Sequence, residues 1–212
     1  MPANKHFFDT VRPIFGGKLT QGQVEGMSKI VEYGEYWGYT APDTAYSLAT
    51  TKKETARWMQ PIREGARRFG TKYSDAAAKR AVASIHAKGI IRTNYALPAG
   101  PFKQSYYGRG LIQITWYDNY KKFTDKLKQP LDENPDLALE WDIALDILFV
   151  GLRDGMFRKG LAFEDFDLRD PRDVYRARDA VNGDKNRKYG SKVTIGQEIT
   201  DDHFVFLKAL EG

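Results

Sequence analysis

Hydrophobic positions recur at helical spacing along most of the chain. Val24, Met27 and Val31 fall at i, i+3 and i+7 behind Thr20, a good helix-capping residue, and predict a helix to about Trp37. Pro42 and Asp43 open a second, running to Thr55 or Arg57, because proline's missing N–H costs nothing in a first turn. Ser74 caps a third, with Ala78, Ala81, Val82 and Ile85 on one face. Residues 142–157 are apolar nearly all round, the pattern of a buried helix. Helices are also expected near 117–127, 171–180 and 194–210. Between Arg92 and Ile114 the periodicity stops. Pro98, Gly100, Pro101, Gly108 and Gly110 punctuate an aromatic, polar stretch, which predicts a loop or short hairpin. The expectation is a mainly α chain with one small irregular or β insertion, organised as a single domain over residues 1–212.

Composition narrows the chemistry. The chain has no cysteine, which excludes disulfides, cysteine nucleophiles and thiolate metal sites, and fits synthesis in a reducing cytoplasm. No segment reaches the roughly 18 apolar residues of a membrane helix, so no membrane insertion is expected. No apolar signal core follows the first residues, so export by a signal is not expected either. The net charge of +5 favours polyanions such as an anionic cell wall, although a mildly basic protein needs no such partner. His6, His86 and His203 make no metal-ligand spacing, and no cofactor is called for. The basic and aromatic runs Ala66-Arg67-Arg68-Phe69 and Asn186-Arg187-Lys188-Tyr189 read as solvated or wall-binding faces rather than nucleic-acid sites.

Two stretches offer chemistry. Glu54 ends the Pro42 helix, and Glu64 follows a break at Pro61, so the two carboxyls lie on separate elements and are able to face one another across a gap. Enzymes that cut glycosidic bonds mostly use such a pair. Both residues also fit ordinary surface glutamates. The second stretch runs from Ser105 to Thr115. Glycines around Arg109 permit a tight turn, Tyr106 and Tyr107 offer flat faces for sugar rings, and Gln113, Thr115 and Asn119 alternate with Ile112 and Ile114 as neutral hydrogen-bonding groups along an extended segment. A plain glycine turn leading into an edge strand accounts for the same residues.

Tyr106-Tyr107-Gly108-Arg109-Gly110-Leu111-Ile112-Gln113-Ile114-Thr115, with Asn119-Tyr120 behind it, resembles the signature of the glycoside hydrolase family 19 chitinases and related phage endolysins. Asn134-Pro135-Asp136-Leu137-Ala138 and Val181-Asn182-Gly183 resemble two further segments of that family, in the same order. The resemblance implies a bilobal, lysozyme-like α fold with a substrate cleft and an inverting mechanism. It places Glu54 as general acid, Glu64 as the base that activates water, and Thr115 as a holder of that water. Arg109, Gln113, Asn119 and Asn182 then line the cleft or bind substrate. The family's acid is usually preceded by histidine and followed by glycines, where this chain has Lys53-Glu54-Thr55-Ala56-Arg57.

The expected activity is cleavage of β-1,4 bonds in bacterial peptidoglycan by a monomeric endolysin-type enzyme. It would be made in the host cytoplasm and act on the wall after release. A chitinase acting on chitin oligomers, or an inactive sugar-binding relative, are the alternatives. A nucleic-acid binder is a third class, marked by steep salt dependence with duplex DNA.

Overall fold

A computed structural model of the chain describes residues 3–66, 70–158, 160–188 and 190–212. Among them are eight α-helices: α1 Lys5–Val11, α2 Gln21–Tyr36, α3 Ala41–Glu54, α4 Asp75–Ala87, α5 Tyr117–Leu127, α6 Trp141–Arg153, α7 Pro171–Val181 and α8 Ile195–Glu211. Two short strands, β1 Ile62–Arg63 and β2 Arg109–Gly110, pair antiparallel with Ile62 opposite Gly110. The chain is mainly α, as its periodicity predicts. Of the two basic and aromatic runs, Arg67, Arg68, Phe69 and Tyr189 lie outside the described residues.

The helix starts follow their capping residues. Thr20 accepts from the Gln23 N–H while the Gln23 side chain returns to the Thr20 N–H, a complete capping box for α2. Ser74 and Thr194 cap α4 and α8 by the single bond alone, accepting from the N–H groups of Ala77 and Gln197. Asn4 caps α1, which its seven residues left unread in the sequence. Helix α6 is shorter than expected. It stops at Arg153, and Gly155 follows with φ of 62°.

Two compact units result. One comprises residues up to Lys53 and from Leu148 onward, and the other comprises Glu54–Ile147. In the first, α8 packs on α1 and α7. Phe206 of α8 meets Phe7 and Phe15, each at 6.4 Å between ring centroids. Two ion pairs are buried there. Lys52 meets Asp202, and Arg178 reaches Asp184 through two bonds of 2.7 and 3.2 Å. The second unit holds α4, α5 and both strands. Its core includes Tyr106, Tyr107, Leu111, Tyr120, Phe123 and Ala138, all essentially inaccessible.

Candidate functional site

Glu54 is the last residue of α3 and is half-buried. The chain leaves the helix in an unusual conformation. Ala56, Arg57 and Met59 all have positive φ, at 49°, 74° and 54°. These lie in the stretch where the family motif carries glycines. A side chain in the left-handed region costs roughly 1–2 kcal/mol, so the turn keeps a glycine-like path with non-glycine residues. Buried Thr55 braces it by accepting from the Met59 N–H at 3.0 Å. The Lys53 ammonium, next to Glu54 in the chain, is engaged 2.6 Å away by Glu198 of α8.

Glu64 directly follows β1, and both its carboxylate oxygens are held. The Tyr95 hydroxyl donates to Oε1 at 2.6 Å, and the Gly108 N–H donates to Oε2 at 2.9 Å. The Glu64 N–H in turn donates to the Gly108 carbonyl at 2.7 Å. A Cβ at position 108 would stand 3.2 Å from Glu64 Oε2 and 3.0 Å from Gln113 Oε1, which is why the carboxylate approaches the backbone here. Burial, together with the charge of Glu64, raises the Tyr95 hydroxyl well above its ordinary range, so it remains a donor. The Tyr95 ring stands edge-on to Trp116 at 4.9 Å, and Trp116 is 46% exposed.

The turn after β2 is closed by two bonds between Arg109 and Ile114, of 3.2 and 3.0 Å. Residues 111–113 are therefore a turn rather than an extended segment, with Gln113 at φ 56°. Ile112 and Ile114 point into the core, and Gln113 and Thr115 remain half-buried. Gln113 Nε2 donates to the carbonyls of Ile62 and Gly110, each at 3.0 Å. Thr115 Oγ1 donates to the Gln113 carbonyl at 2.9 Å, and Asn119 Nδ2 donates to the Thr115 carbonyl at 2.7 Å.

Arg109 and the two tyrosines hold this turn from beneath. Arg109 is 3% exposed and stacks 3.7 Å above the Tyr107 ring. Its Nε donates to Asp136 Oδ1 at 2.7 Å, and its Nη1 donates to the carbonyls of Ser105 and Tyr107. Arg63 donates to the other oxygen of Asp136 at 2.6 Å. Tyr106 and Tyr107 present no open faces to a sugar. Both are buried, with hydroxyls given to the Asp132 carbonyl and to Asp75, each at 2.7 Å. Their aromatic area is used on Tyr117, Tyr120 and Arg109 instead. Burial raises the Tyr106 hydroxyl to about 12. For Asp75, burial acts to raise the carboxyl, and hydrogen bonds from Lys79 and Tyr107 outweigh it and hold it below the usual range.

Glu64, Arg109, Gln113, Thr115 and Asn119 thus belong to one bonded network of the second unit. Asn182 belongs to the first unit, where it ends α7 with an exposed side chain. Sequence reasoning missed three participants. Asp136 lies inside the Asn134-Pro135-Asp136-Leu137-Ala138 segment, and Arg63 adjoins Glu64, so both carried a local signal. Tyr95 is 31 residues from Glu64 and carried none. Among the described residues no cluster of three or more metal-ligating side chains occurs.

No family model matches the chain, and no curated protein matches it. Solved structures do. Chitinase C from Streptomyces griseus HUT6037 aligns over 98% of this chain and 78% of its own, with 18% identity and a TM-score of 0.57. A mutant of chitinase C aligns over 99% and 92%, with 18% identity and a TM-score of 0.55. The chain has the fold of these enzymes.

Proposed function

We propose that this chain, built on the fold of the chitinase C structures, is a glycoside hydrolase that cuts β-1,4 bonds in an amino-sugar polymer. The observation that carries the reading is the fixed carboxylate of Glu64, held through both oxygens beside the Gln113–Thr115 turn. Each carboxylate oxygen has two acceptor positions, so one on each remains for a water. Glu64 acts as base toward that water. Thr115 gives its own proton to the Gln113 carbonyl, which leaves its oxygen to accept from the same water. Glu54 supplies the proton to the glycosidic oxygen as the bond breaks. Gln113 has committed both amide protons to backbone carbonyls, so its Oε1 serves as an acceptor, suited to the N–H of an acetamido group. Arg109 positions the turn without touching substrate.

Peptidoglycan is the favoured polymer, because its anionic character suits a chain of net charge +5. Chitin is the second reading, supported by the chitinases that share the fold. Digestion of purified peptidoglycan and of chitin oligomers, with mass spectrometry of the products, distinguishes them. Glu54→Gln is expected to lower the rate on the cleaved polymer by about 10²–10⁴-fold with the fold intact. A variant keeping over about a tenth of the rate would remove Glu54 as the acid.

A further inference from the structure

Charge is spread unevenly along the chain. Residues 76–117 contain six of its 33 basic residues, Lys79, Arg80, Lys88, Arg92, Lys103 and Arg109, and none of its 28 acidic ones. Taking those six away leaves 27 basic against 28 acidic residues, so the rest of the chain is close to neutral. Lys79 is matched by Asp75 and Arg109 by Asp136. Arg80 lies two positions from each of the buried residues Ala78 and Val82, on the far side of α4. Lys88, Arg92 and Lys103 remain, all exposed and without an ion-pair partner among the described residues. Elsewhere surface arginines are matched locally, as Arg153 is by Asp154, Arg169 by Glu211 and Arg172 by Asp170.

The loop that carries the three cations is tied to the fold and to the site. It follows α4, with Lys88 as the C-cap, and reaches β2 without forming a helix. Ile91 and Tyr95 pack on Ala78, Val82 and Tyr107. The Ser105 hydroxyl donates to the Ala96 carbonyl at 2.6 Å, and the Ala99 N–H donates to the Gln104 carbonyl at 2.8 Å. Gly100 lies against Tyr117, whose ring a Cβ there would meet at 2.7 Å. Lys103 holds φ of 52°, a conformation that glycine takes without strain, so a lysine is kept there at a cost. Tyr95, in the middle of the loop, is the residue that donates to Glu64. Arg92 is three residues from Tyr95, which limits the separation of their Cα atoms to about 11 Å. One loop therefore fixes the proposed base and carries unmatched positive charge close to it.

We infer that Lys88, Arg92 and Lys103 form a polyanion-binding face beside Glu64, which recognises anionic groups fixed on the polymer: carboxylates of peptidoglycan itself or phosphates of polymers attached to it. The inference rests on the proposed function for the identity of the polymer. Exposed Ile90 and Leu97 share the loop, but surfaces that lie in a bilayer interface are built on amphipathic helices, and this loop has none, so the partner is a polymer rather than a membrane. Lys88→Gln/Arg92→Gln/Lys103→Gln, with an unchanged melting temperature, should sediment with insoluble peptidoglycan about tenfold less at about 0.01 M salt, where attraction reaches about 30 Å, and match wild type at about 1 M, where it reaches about 3 Å. Lys88→Arg/Arg92→Lys/Lys103→Arg should keep the binding. So should Lys18→Gln/Lys122→Gln/Lys208→Gln, which removes the same charge from exposed positions elsewhere. Amidating the carboxylates should remove the advantage of wild type over the loop variant if carboxylates are the source, and extracting the phosphate-bearing polymers should do so if phosphates are. An advantage that survives both treatments together overturns the inference. So does a loop variant that binds like wild type, or an equal loss in the dispersed variant, which would make net charge the cause. Wild type that binds anionic phosphatidylglycerol vesicles and not the polymer overturns it in favour of a membrane. Sedimentation requires no turnover, so a chain that binds through this loop but cleaves neither polymer would sink the hydrolase reading and leave the face standing.

Discussion

Replacing Asp136 by alanine should weaken the second unit by about 2–3 kcal/mol. Its carboxylate joins Arg63 at 2.6 Å and Arg109 at 2.7 Å. Removing one partner of a buried pair costs roughly 3–5 kcal/mol because a charge is left uncompensated. The Arg109 side chain is 4% exposed, but that of Asp136 is 42% exposed, so solvent already screens the pair and the cost falls to the bottom of that range or just below it. Arg109 also keeps its bonds to the Ser105 and Tyr107 carbonyls. In a chain of this length each kcal/mol moves the melting temperature by about 2–4 °C, so a fall of about 4–12 °C is expected. Calorimetry on wild type, Asp136→Ala, Arg109→Met and the double variant gives the coupling directly. A single variant melting within about 2 °C of wild type, or a coupling near zero, would refute the argument. Hydrolysis should fall along with stability, because Arg63 and Arg109 adjoin Glu64 and Gly108, the two residues whose separation sets the carboxylate.

Acid should destabilise the first unit through His203. Burial lowers His203 to about 4 in the folded chain, against about 6.5 unfolded, so the unfolded chain takes up the proton first. Its contribution is whole above about pH 6.5 and is lost progressively toward pH 4, by about 3 kcal/mol. His203→Phe should flatten urea-midpoint curves across that window, and an unchanged slope would contradict the assignment. Ala56→Gly and Arg57→Gly should each raise the melting temperature by about 1–2 °C, since relief of left-handed strain slightly exceeds the added chain entropy; a fall at both positions would mean the turn is unstrained. Rates on peptidoglycan should drop as salt rises, attraction reaching only about 8 Å at physiological ionic strength, and rates on neutral oligomers should not; identical salt curves would deny the +5 charge a role in targeting. Proton NMR of early hydrolysis should show the α-anomer first, and an initial β-product would exclude Glu64 as a base.

Elements with local punctuation were legible in the chain. Thr20, Ser74 and Thr194 announce helix starts because a capping bond spans only three residues. The glycine turn at 108–110 was legible for the same reason. What a side chain meets across the fold was not. Tyr106 and Tyr107 suit a sugar platform as a sequence, yet Tyr117, Tyr120 and Asp75 claim them in three dimensions. The interaction of Lys53 was likewise invisible, because Glu198 is 145 positions away. Tyr95 illustrates the general case, since nothing near it in the chain points to Glu64.

Position 110 sets a limit on how the turn is able to vary. Gly110 has φ of 87°, and a Cβ there would stand 2.7 Å from the backbone carbonyl of Ala138. Backbone is unable to swing aside as a side chain does, so every other residue is excluded on two independent grounds. Exposed Ala56 and Arg57, by contrast, already hold left-handed positions with side chains present. In a saturation library, position 110 should therefore return glycine alone, whereas 56 and 57 accept many residues with glycine the most stable. Drift among sequences of this fold is accordingly permitted at the turn behind Glu54 and blocked at the turn that carries Gln113, so the latter is the better anchor for aligning distant relatives.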